Sequence, residues 1–486
     1  MKVKLSSNYT IRNQKNCSYI INVDKIVDKK TESFGAITVP PFIGYILSRL
    51  GRNEFEKDLA EMSRESGISI NALRKFVSQL LDNEEHKEFK LSEALSIVFP
   101  YQLLTVVDDD EKPLEYYETN DFNVMDEFII QRPSMPLSAN LMVTTKCNTS
   151  CCYCYANRQL KPLMTTAEIL DVLKQLKEGG VVNLTLTGGD IFAHSDWKLI
   201  LEEVIKAGFK PFLSTKTPLN ESELAKLQEL GYTEIQFSLD SDEPEVLRRL
   251  IKVDDDYIVK VAEMFDKATG YGIDISIRSV ITKLNGSIED IKKLYAFLTR
   301  YRSVKSWTIT PAFFSEYKKE QYHDIEADNE DLKAIYLFTH KDDLSLPIRL
   351  NKIESEGYKL RKCDNVEDFV CKNQICLANT ISLSILANGK CSVCEMLYDH
   401  EQYILGDIRK DDIYSIWNSE KALDLYAPKQ ENVKPESLCR ECKVFTECKD
   451  SFGKRICYLD ITQTGGDKDD PDPRCPLSNK TERILL

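Results

Sequence analysis

The stretch "KCNTSCCYCY", residues 146–155, crowds four cysteines into eight positions between a β-rich segment and a long amphipathic one. Three of them, Cys147, Cys151 and Cys154, are separated by three and then two residues. Zinc, a disulfide knot, a redox pair and an iron–sulfur cluster all use close thiols, and the rest of the chain narrows the choice. Of fifteen cysteines only Cys17 precedes residue 147; four lie in 147–154, none in 155–362 and ten in 363–475. Cysteines serving as small core hydrophobes would be scattered. No apolar h-region follows Met1–Lys4 and no apolar run is long enough to cross a bilayer, so a cytoplasmic protein with no membrane partner is expected. A reducing compartment disfavours a disulfide framework and leaves metal or catalysis.

Zinc sites usually set their ligands as CxxC pairs that close a four-coordinate shell. Here three thiols are local and no fourth ligand is evident nearby. A [4Fe–4S] cube held by three cysteines leaves one iron open to an outside ligand. The balance of the chain is that of an ordinary soluble protein, 42% hydrophobic and 29% charged, and 486 residues imply two or three domains. A net charge of −14 argues against a nucleic-acid partner, which needs clustered Lys and Arg facing phosphate.

Residues 1–110 read as a separate domain. "SYIINVDK" (18–25) and "FGAITVP" (34–40) are β-rich, and "FIGYILSRL" (42–50) and "INALRKFVSQLLDN" (70–83) are amphipathic helices. In the second helix Leu73, Phe76, Val77, Leu80 and Leu81 line one face. With the turn "ESGIS" (65–69) between them, the outline is a winged helix-turn-helix. A polar linker is expected over 111–137. From 138 to 311 strand and helix alternate: candidate strands are 139–145, 182–188, 210–215, 234–240, 273–281 and 306–310. Thr165 and Glu168 form a capping-box pattern, and Ser195 and Gly208 bracket a further helix. Alternating βα units imply an α/β fold with a parallel sheet, whose strand C-termini carry the chemistry. Residues 312–362 form a charged, partly helical bridge. Residues 363–486 are cysteine-rich and loop-rich, the composition of a domain stapled by metal.

"CNTSCCYC" matches the CxxxCxxC signature of the radical S-adenosylmethionine (SAM) enzymes, which the chain therefore resembles. The resemblance implies a partial (β/α)6 barrel, and a cluster on Cys147, Cys151 and Cys154 whose open iron chelates SAM, with Tyr153 contacting SAM beside it. Cys152 reads as a packed bystander. "LTGGD" (186–190) resembles the family's GGE segment and points to Gly188, Gly189 and Asp190 for SAM. By the same likeness Ser214, Lys216, Ser238, Asp240 and Arg278, at successive strand ends, contact SAM, with Arg278 paired to its carboxylate.

The segments "CLANTISLSILANGKCSVCEML" (376–397), "LGDI" (405–408), "SIWNS" (415–419) and "CRECKVFTEC" (439–448) together resemble a SPASM domain, which implies two auxiliary [4Fe–4S] clusters and three clusters in all. One falls on Cys376, Cys394 and Cys457, with Cys371 as the candidate fourth ligand; the other falls on Cys439, Cys442, Cys448 and Cys475. A zinc ribbon is the alternative for the second set, and Cys363 and Cys391 read as either ligands or bystanders. SPASM enzymes mostly modify peptides and proteins, and the first domain resembles the leader-recognition element of ribosomal-peptide maturases, such as sactipeptide and ranthipeptide synthases. The resemblance thus implies a radical SAM maturase acting on a precursor peptide, with an external electron donor such as flavodoxin or ferredoxin. A cysteine thioether crosslink is the favoured outcome, because an incompletely ligated auxiliary cluster offers a place for a substrate thiolate. Carbon–carbon crosslinking, epimerisation and formylglycine formation share its first step. A different class, an iron–sulfur transcription regulator, would need a basic stripe, and the candidate recognition helix carries only Arg74 and Lys75.

Overall fold

β1 (Lys2–Leu5) leads into a hairpin of β2 (Tyr9–Gln14) and β3 (Cys17–Asn22), closed by Asn16 at φ 65°. Asn enters the left-handed region more readily than most residues, and here its side-chain amide donates to Glu127 O at 3.0 Å. The computed structural model describes residues 1–23, 36–81, 83–90, 96–107, 116–313, 319–341, 343–358, 362–372, 376–398, 400–449 and 456–479. Asp24, Lys25, Phe34 and Gly35, the ends of two expected strands, lie outside them. Two units emerge from the contacts: Met1–Leu137 with Gly180–Asn183, and Ser138–Gly179 with Leu184–Leu486.

In the first unit β4 (Ala36–Val39) follows β3 in the sheet, and α1 (Pro41–Arg49), α2 (Phe55–Ser66) and α3 (Ile70–Leu80) come next. Gly67 ends α2 at φ 74°, and the Ser69 hydroxyl caps α3 by accepting from Ala72 N. Leu73, Val77 and Leu80 of α3 are fully buried, with Phe76 and Leu81 packed against the same core. α2 escaped the periodicity reading because its buried apolar residues are only Phe55, Leu59 and Met62 in an otherwise charged segment. An antiparallel pair, β5 (Lys87–Lys90) and β6 (Ser96–Phe99), succeeds α3, and β7 (Leu104–Val107) returns to β1.

The expected linker is not all linker. β8 (Tyr117–Glu118) joins the sheet in the order β4-β3-β2-β8, and the Arg12 guanidinium lies 4.5 Å over the Tyr117 ring. Two residues are too few to leave a period in the sequence.

The second unit begins with β9 (Ser138–Thr144), α4 (Thr166–Glu178), β10 (Asn183–Gly188), α5 (Trp197–Lys206) and β11 (Ser214–Thr215). It continues with α6 (Glu221–Glu229), β12 (Glu234–Ser238), α7 (Pro244–Ile251), α8 (Tyr257–Ala268), β13 (Asp274–Ile281), α9 (Ile288–Leu298) and β14 (Val304–Pro311). The capping box at Thr165 and Glu168 is made in full, whereas α5 starts after Asp196 and takes no cap from Ser195. α10 (Lys319–Ile325), α11 (Asn329–Thr339) and β15 (Ile348–Leu350) follow.

β15 extends the parallel sheet past residue 311, giving the order β11-β12-β13-β14-β15. A seventh strand of three residues inside a charged stretch carries too little pattern to be read in advance. α12 (Val366–Lys372), β16 (Ser382–Ile385), β17 (Lys390–Ser392) and β18 (Ile404–Asp407) come next. β16 runs parallel to β9, so the cysteine-rich region is hydrogen-bonded into the order β10-β9-β16-β17-β18. The chain ends in short helices, α13 (Ile413–Trp417), α14 (Glu420–Tyr426), α15 (Phe445–Lys449) and α16 (Tyr458–Gln463). No helix among the described residues is long and apolar enough to cross a membrane.

Candidate functional site

The cysteine loop leaves the C-terminal end of β9 and is held by backbone groups that would otherwise lack partners. Ser150 N donates to Ile251 O (2.7 Å) and Cys152 N to Leu250 O (2.8 Å), satisfying the last carbonyls of α7. Arg158 donates to Thr149 O (2.8 Å) and Cys147 O (3.3 Å) from the other side. Burial pushes the Cys147 thiol up to about 12, and Asp190, Cys154 and Cys151 add to the shift while Arg158 opposes it. The three motif thiols are therefore electrostatic neighbours. Cys152, lifted by burial to about 11, anchors the loop through its backbone.

Among the described residues no three Cys, His, Asp or Glu side chains converge as ligands of one metal ion. A cuboidal cluster does not ask for that, because each thiolate binds a different iron. The donor set, three neighbouring thiols on one loop, fits such a cluster.

The GGD segment straps this loop from beneath. Gly189 N donates to Thr144 O and Asp190 N to Lys146 O, both at 2.7 Å. A Cβ on Gly189 would stand 1.9 Å from Lys146 O, and Gly188, at φ +127°, would place one 2.2 Å from Thr144 O. Glycine is required at both positions by the close approach of two backbones. The Asp190 carboxylate accepts from Phe192 N (3.0 Å), Thr215 Oγ1 (2.7 Å), Lys216 N (3.3 Å) and Thr217 Oγ1 (2.8 Å). It thus ties β10 to the end of β11, where the sequence pattern placed a SAM contact.

Asp240 is likewise engaged by protein donors. Its Oδ2 accepts from Lys216 Nζ (2.7 Å) and from the Tyr153 hydroxyl, and its Oδ1 accepts from Val280 N at 2.9 Å. Burial opposes the Lys216 charge, yet Asp240 and Cys151 outweigh it and hold the ammonium above its ordinary value. Burial, and then Asp240, drive the Tyr153 phenol well above its usual range. The three residues expected to touch SAM are bonded to one another and clamp the third-cysteine end of the loop onto β12.

Parallel register sets a row across the sheet: Ser238 opposite Arg278, Arg278 opposite Thr308, Thr308 opposite Arg349. Alternate residues Phe237, Ile277, Trp307 and Ile309 are buried on the opposite face, so this row looks out from the helix-packed core. Gln236 Nε2 donates to Ser214 Oγ (2.8 Å) and Ser238 Oγ (3.2 Å), bringing those two candidates together. Partial burial, then the adjacent Arg349, push the Arg278 guanidinium down, with Tyr155 opposing. Tyr155 and Glu395 both hydrogen-bond Thr187, and burial raises the Glu395 carboxyl. Among the described residues Glu395 Oε2 has no hydrogen-bond partner. The sequence reading missed Tyr155, Glu395 and Arg349. Two of them directly follow proposed cluster cysteines, a signal that was there to use; Arg349 had none.

The C-terminal thiols separate into two sets. Cys376 and Cys394 both act on the Cys457 thiol, which burial raises far above its usual range, and Cys376 acts on Cys394, raised by burial to about 12. Cys457 N donates to Asp472 Oδ2 (2.8 Å), and Asp472 pairs with Arg474 at 2.7 Å. Cys439, Cys442, Cys448 and Cys475 line one small hollow, walled by Phe369 and Phe445. Four thiols around one apolar hollow fit a buried cluster. Lys449, 2% exposed, reaches this set with its ammonium held by Lys468 O and Asp470 O, both at 2.9 Å. Cys371 is exposed on α12, whose Val366 and Phe369 line the hollow of the other set. Cys391 is fully buried within β17, and Cys363 N donates to Arg474 O (3.2 Å).

Comparison with known proteins finds two family matches along the chain. The Radical SAM superfamily profile matches residues 141–298, and the SPASM iron–sulfur cluster-binding domain matches residues 376–443. The PqqA peptide cyclase of Rhizobium meliloti (strain 1021) is 24% identical over 364 residues, covering 73% of this chain and 90% of that protein. A probable GTP 3',8-cyclase of Sulfurisphaera tokodaii is 27% identical over 279 residues, 55% of this chain and 84% of that one. The crystal structure of Streptococcus suis SuiB bound to precursor peptide SuiA superposes with a TM-score of 0.62 at 15% identity. That match spans 98% of this chain and 100% of SuiB, a likeness of fold.

Proposed function

We propose, from the premise that this chain is a radical SAM protein with a C-terminal SPASM iron–sulfur domain, that it modifies a ribosomally made precursor peptide. The observation that carries this reading is the pairing of a three-thiol loop at a strand end with two further thiol sets, in a chain most of whose length matches a peptide cyclase. Cys147, Cys151 and Cys154 would hold the first cluster, Cys376, Cys394 and Cys457 the second, and Cys439, Cys442, Cys448 and Cys475 the third. With SAM bound, the first such cluster would supply the reducing chemistry that yields a 5′-deoxyadenosyl radical able to take a hydrogen atom from the substrate. Arg278 would bind the SAM carboxylate, and Ser214 and Ser238 would offer hydroxyls to SAM. Gly188 and Gly189 would shape its seat through the backbone. Tyr153, Lys216, Asp190 and Asp240 act as positioning residues that keep loop and strands in register. In this reading β9–β15 form the partial barrel and α1–α3 with β5–β6 the winged-helix element.

We infer that residues 1–110 bind a leader peptide along the edge of β4, where backbone hydrogen bonds give affinity and side-chain pockets give selection. A DNA reader is disfavoured by a specific contact: Arg74, one of two basic residues on α3, is paired with Glu56 at 2.6 Å. The product we favour is a cysteine thioether. One C–H and one S–H would be replaced by a C–S bond: the hydrogen atom would leave on deoxyadenosine, the thiol proton would go to solvent, and the remaining electron would need a one-electron acceptor, which an oxidised cluster on Cys376, Cys394 and Cys457 would supply. The test is anaerobic reaction of the reconstituted protein with the precursor encoded beside its gene, followed by mass analysis. A thioether makes the product lighter by two hydrogens with one alkylatable thiol lost. Loss of the hydrogens with every thiol retained would replace it by a carbon–carbon bond, and unchanged mass by epimerisation.

A further inference from the structure

Arg278 and Arg349 stand on the same face of the sheet, separated by the single strand that carries Thr308. Strands lie about 4.8 Å apart, so the two Cα atoms are roughly 10 Å from one another and both long side chains can reach a common point above Thr308. Their like charges already repel, since Arg349 contributes to pushing the Arg278 guanidinium down. The row Ser238–Arg278–Thr308–Arg349 contains no acidic residue. Among the described residues neither guanidinium has an ion-pair or hydrogen-bond partner. Other basic groups of the same unit are treated differently: Lys216 pairs with Asp240, Arg409 with Glu168 and Arg474 with Asp472. Two facing guanidiniums without acids form a receptor for carboxylates, which the planar fork binds in bidentate fashion. SAM brings one carboxylate, and the proposed function gives it to Arg278. Arg349 is left for a second.

We propose that Arg349 is a specificity-determining residue that binds a carboxylate of the peptide substrate, placing an acidic residue or the C-terminal carboxylate beside the SAM seat. This rests on the peptide-modifying reading above, which supplies a peptide at that face. The hydroxyl of Thr308, on the strand between the two arginines, supplies a neutral donor beside the anion, so the site selects charge by Arg349.

The experiment uses the full-length, cluster-reconstituted protein saturated with SAM, and titrates three capped probes. These are Ac-Gly-Glu-Gly-NH2, Ac-Gly-Gln-Gly-NH2 and Ac-Gly-Gly-Gly with a free C-terminus. One of the two acids should bind about tenfold more tightly than the Gln peptide. Which acid does so separates a side-chain carboxylate from a terminal one. Arg349→Gln should reduce that acid to the level of the Gln peptide, while SAM affinity and peptide-free deoxyadenosine formation stay within about twofold of the native protein. Arg349→Lys, which keeps the charge without the fork, should retain part of the preference and serves if the Gln variant is unstable. Equal binding of all three probes to the native protein overturns the proposal. So does a loss of SAM affinity in Arg349→Gln, which would assign Arg349 to the SAM carboxylate. If the native protein discriminates the probes but never cleaves SAM, the functional reading fails while the carboxylate site stands.

Discussion

Lys216 Nζ and Asp240 Oδ2 are 2.7 Å apart, with the Asp240 side chain fully buried and Lys216 15% exposed. This ion pair, joined by the Tyr153 hydroxyl, is what fixes the cysteine loop against the ends of β11 and β12. Removing one partner leaves the other charge buried and uncompensated. Asp240→Ala is therefore expected to lower stability by about 3–5 kcal/mol, the range for a broken buried pair. Denaturant unfolding of the cluster-free protein measures it. The Asp240→Ala, Lys216→Met double variant should recover part of the loss; a double variant as unstable as the sum of the singles would show that the pair does not couple.

Replacing Cys147, Cys151 and Cys154 together by Ala should abolish deoxyadenosine formation while iron bound by the C-terminal thiols persists. Iron analysis and product chromatography on one anaerobic preparation measure both. Cleavage that survives in the triple variant would remove the assignment of this loop.

Glu168 links two parts of the second unit, since it completes the cap of α4 and pairs with Arg409, 2.6 Å away beyond β18. Arg409 first, then the Thr165 backbone N–H, hold its carboxyl down from 4.5 to about 2. A depressed carboxylate contributes stability that is complete above its unfolded value and is lost as pH falls through the folded one. The contribution should fade between pH 4.5 and about 2. Because the group is partly exposed, Glu168→Gln should cost only about 1 kcal/mol at neutral pH, the scale of a lost cap and a screened surface pair. The difference between native and variant should vanish at the acid end of that window; a constant difference would refute the assignment.

Cys457→Ala should lose the iron of the Cys376–Cys394–Cys457 set, whereas Cys371→Ala should keep it, because Cys371 is exposed on a helix that packs toward the other hollow. Iron stoichiometry and Mössbauer spectra of the two variants decide between them. Equal losses would make Cys371 the fourth ligand.

Lys449 is buried beside Cys439 and Cys448, where its charge favours both thiolates against the burial that raises them. Lys449→Met should weaken retention of that cluster and lower its midpoint potential, since a positive charge stabilises the more negative reduced form. An unchanged potential in a variant that retains its iron would show that Lys449 only fills space.

Much of the site could be read from the sequence because it is local. The spacing of Cys147, Cys151 and Cys154, the glycines 188 and 189, and the capping box at Thr165 and Glu168 are properties of short segments whose geometry follows from covalent reach. The strands 138–144, 183–188, 234–238, 274–281 and 304–311 were likewise announced by runs of β-branched and aromatic residues between legible helices. What those segments do to one another was decided by the tertiary structure. Asp190 and Asp240 spend their carboxylates on Thr215, Thr217, Lys216 and Tyr153, partners 24 to 87 residues away. β15 has no sequence pattern of its own and exists because β14 offers an edge. Arg349 faces Arg278 only through the register of three parallel strands, and β16 meets β9 across 244 residues. Hydrogen-bond register between distant strands depends on how the helices pack behind the sheet, a sum over the whole core that no window of sequence contains.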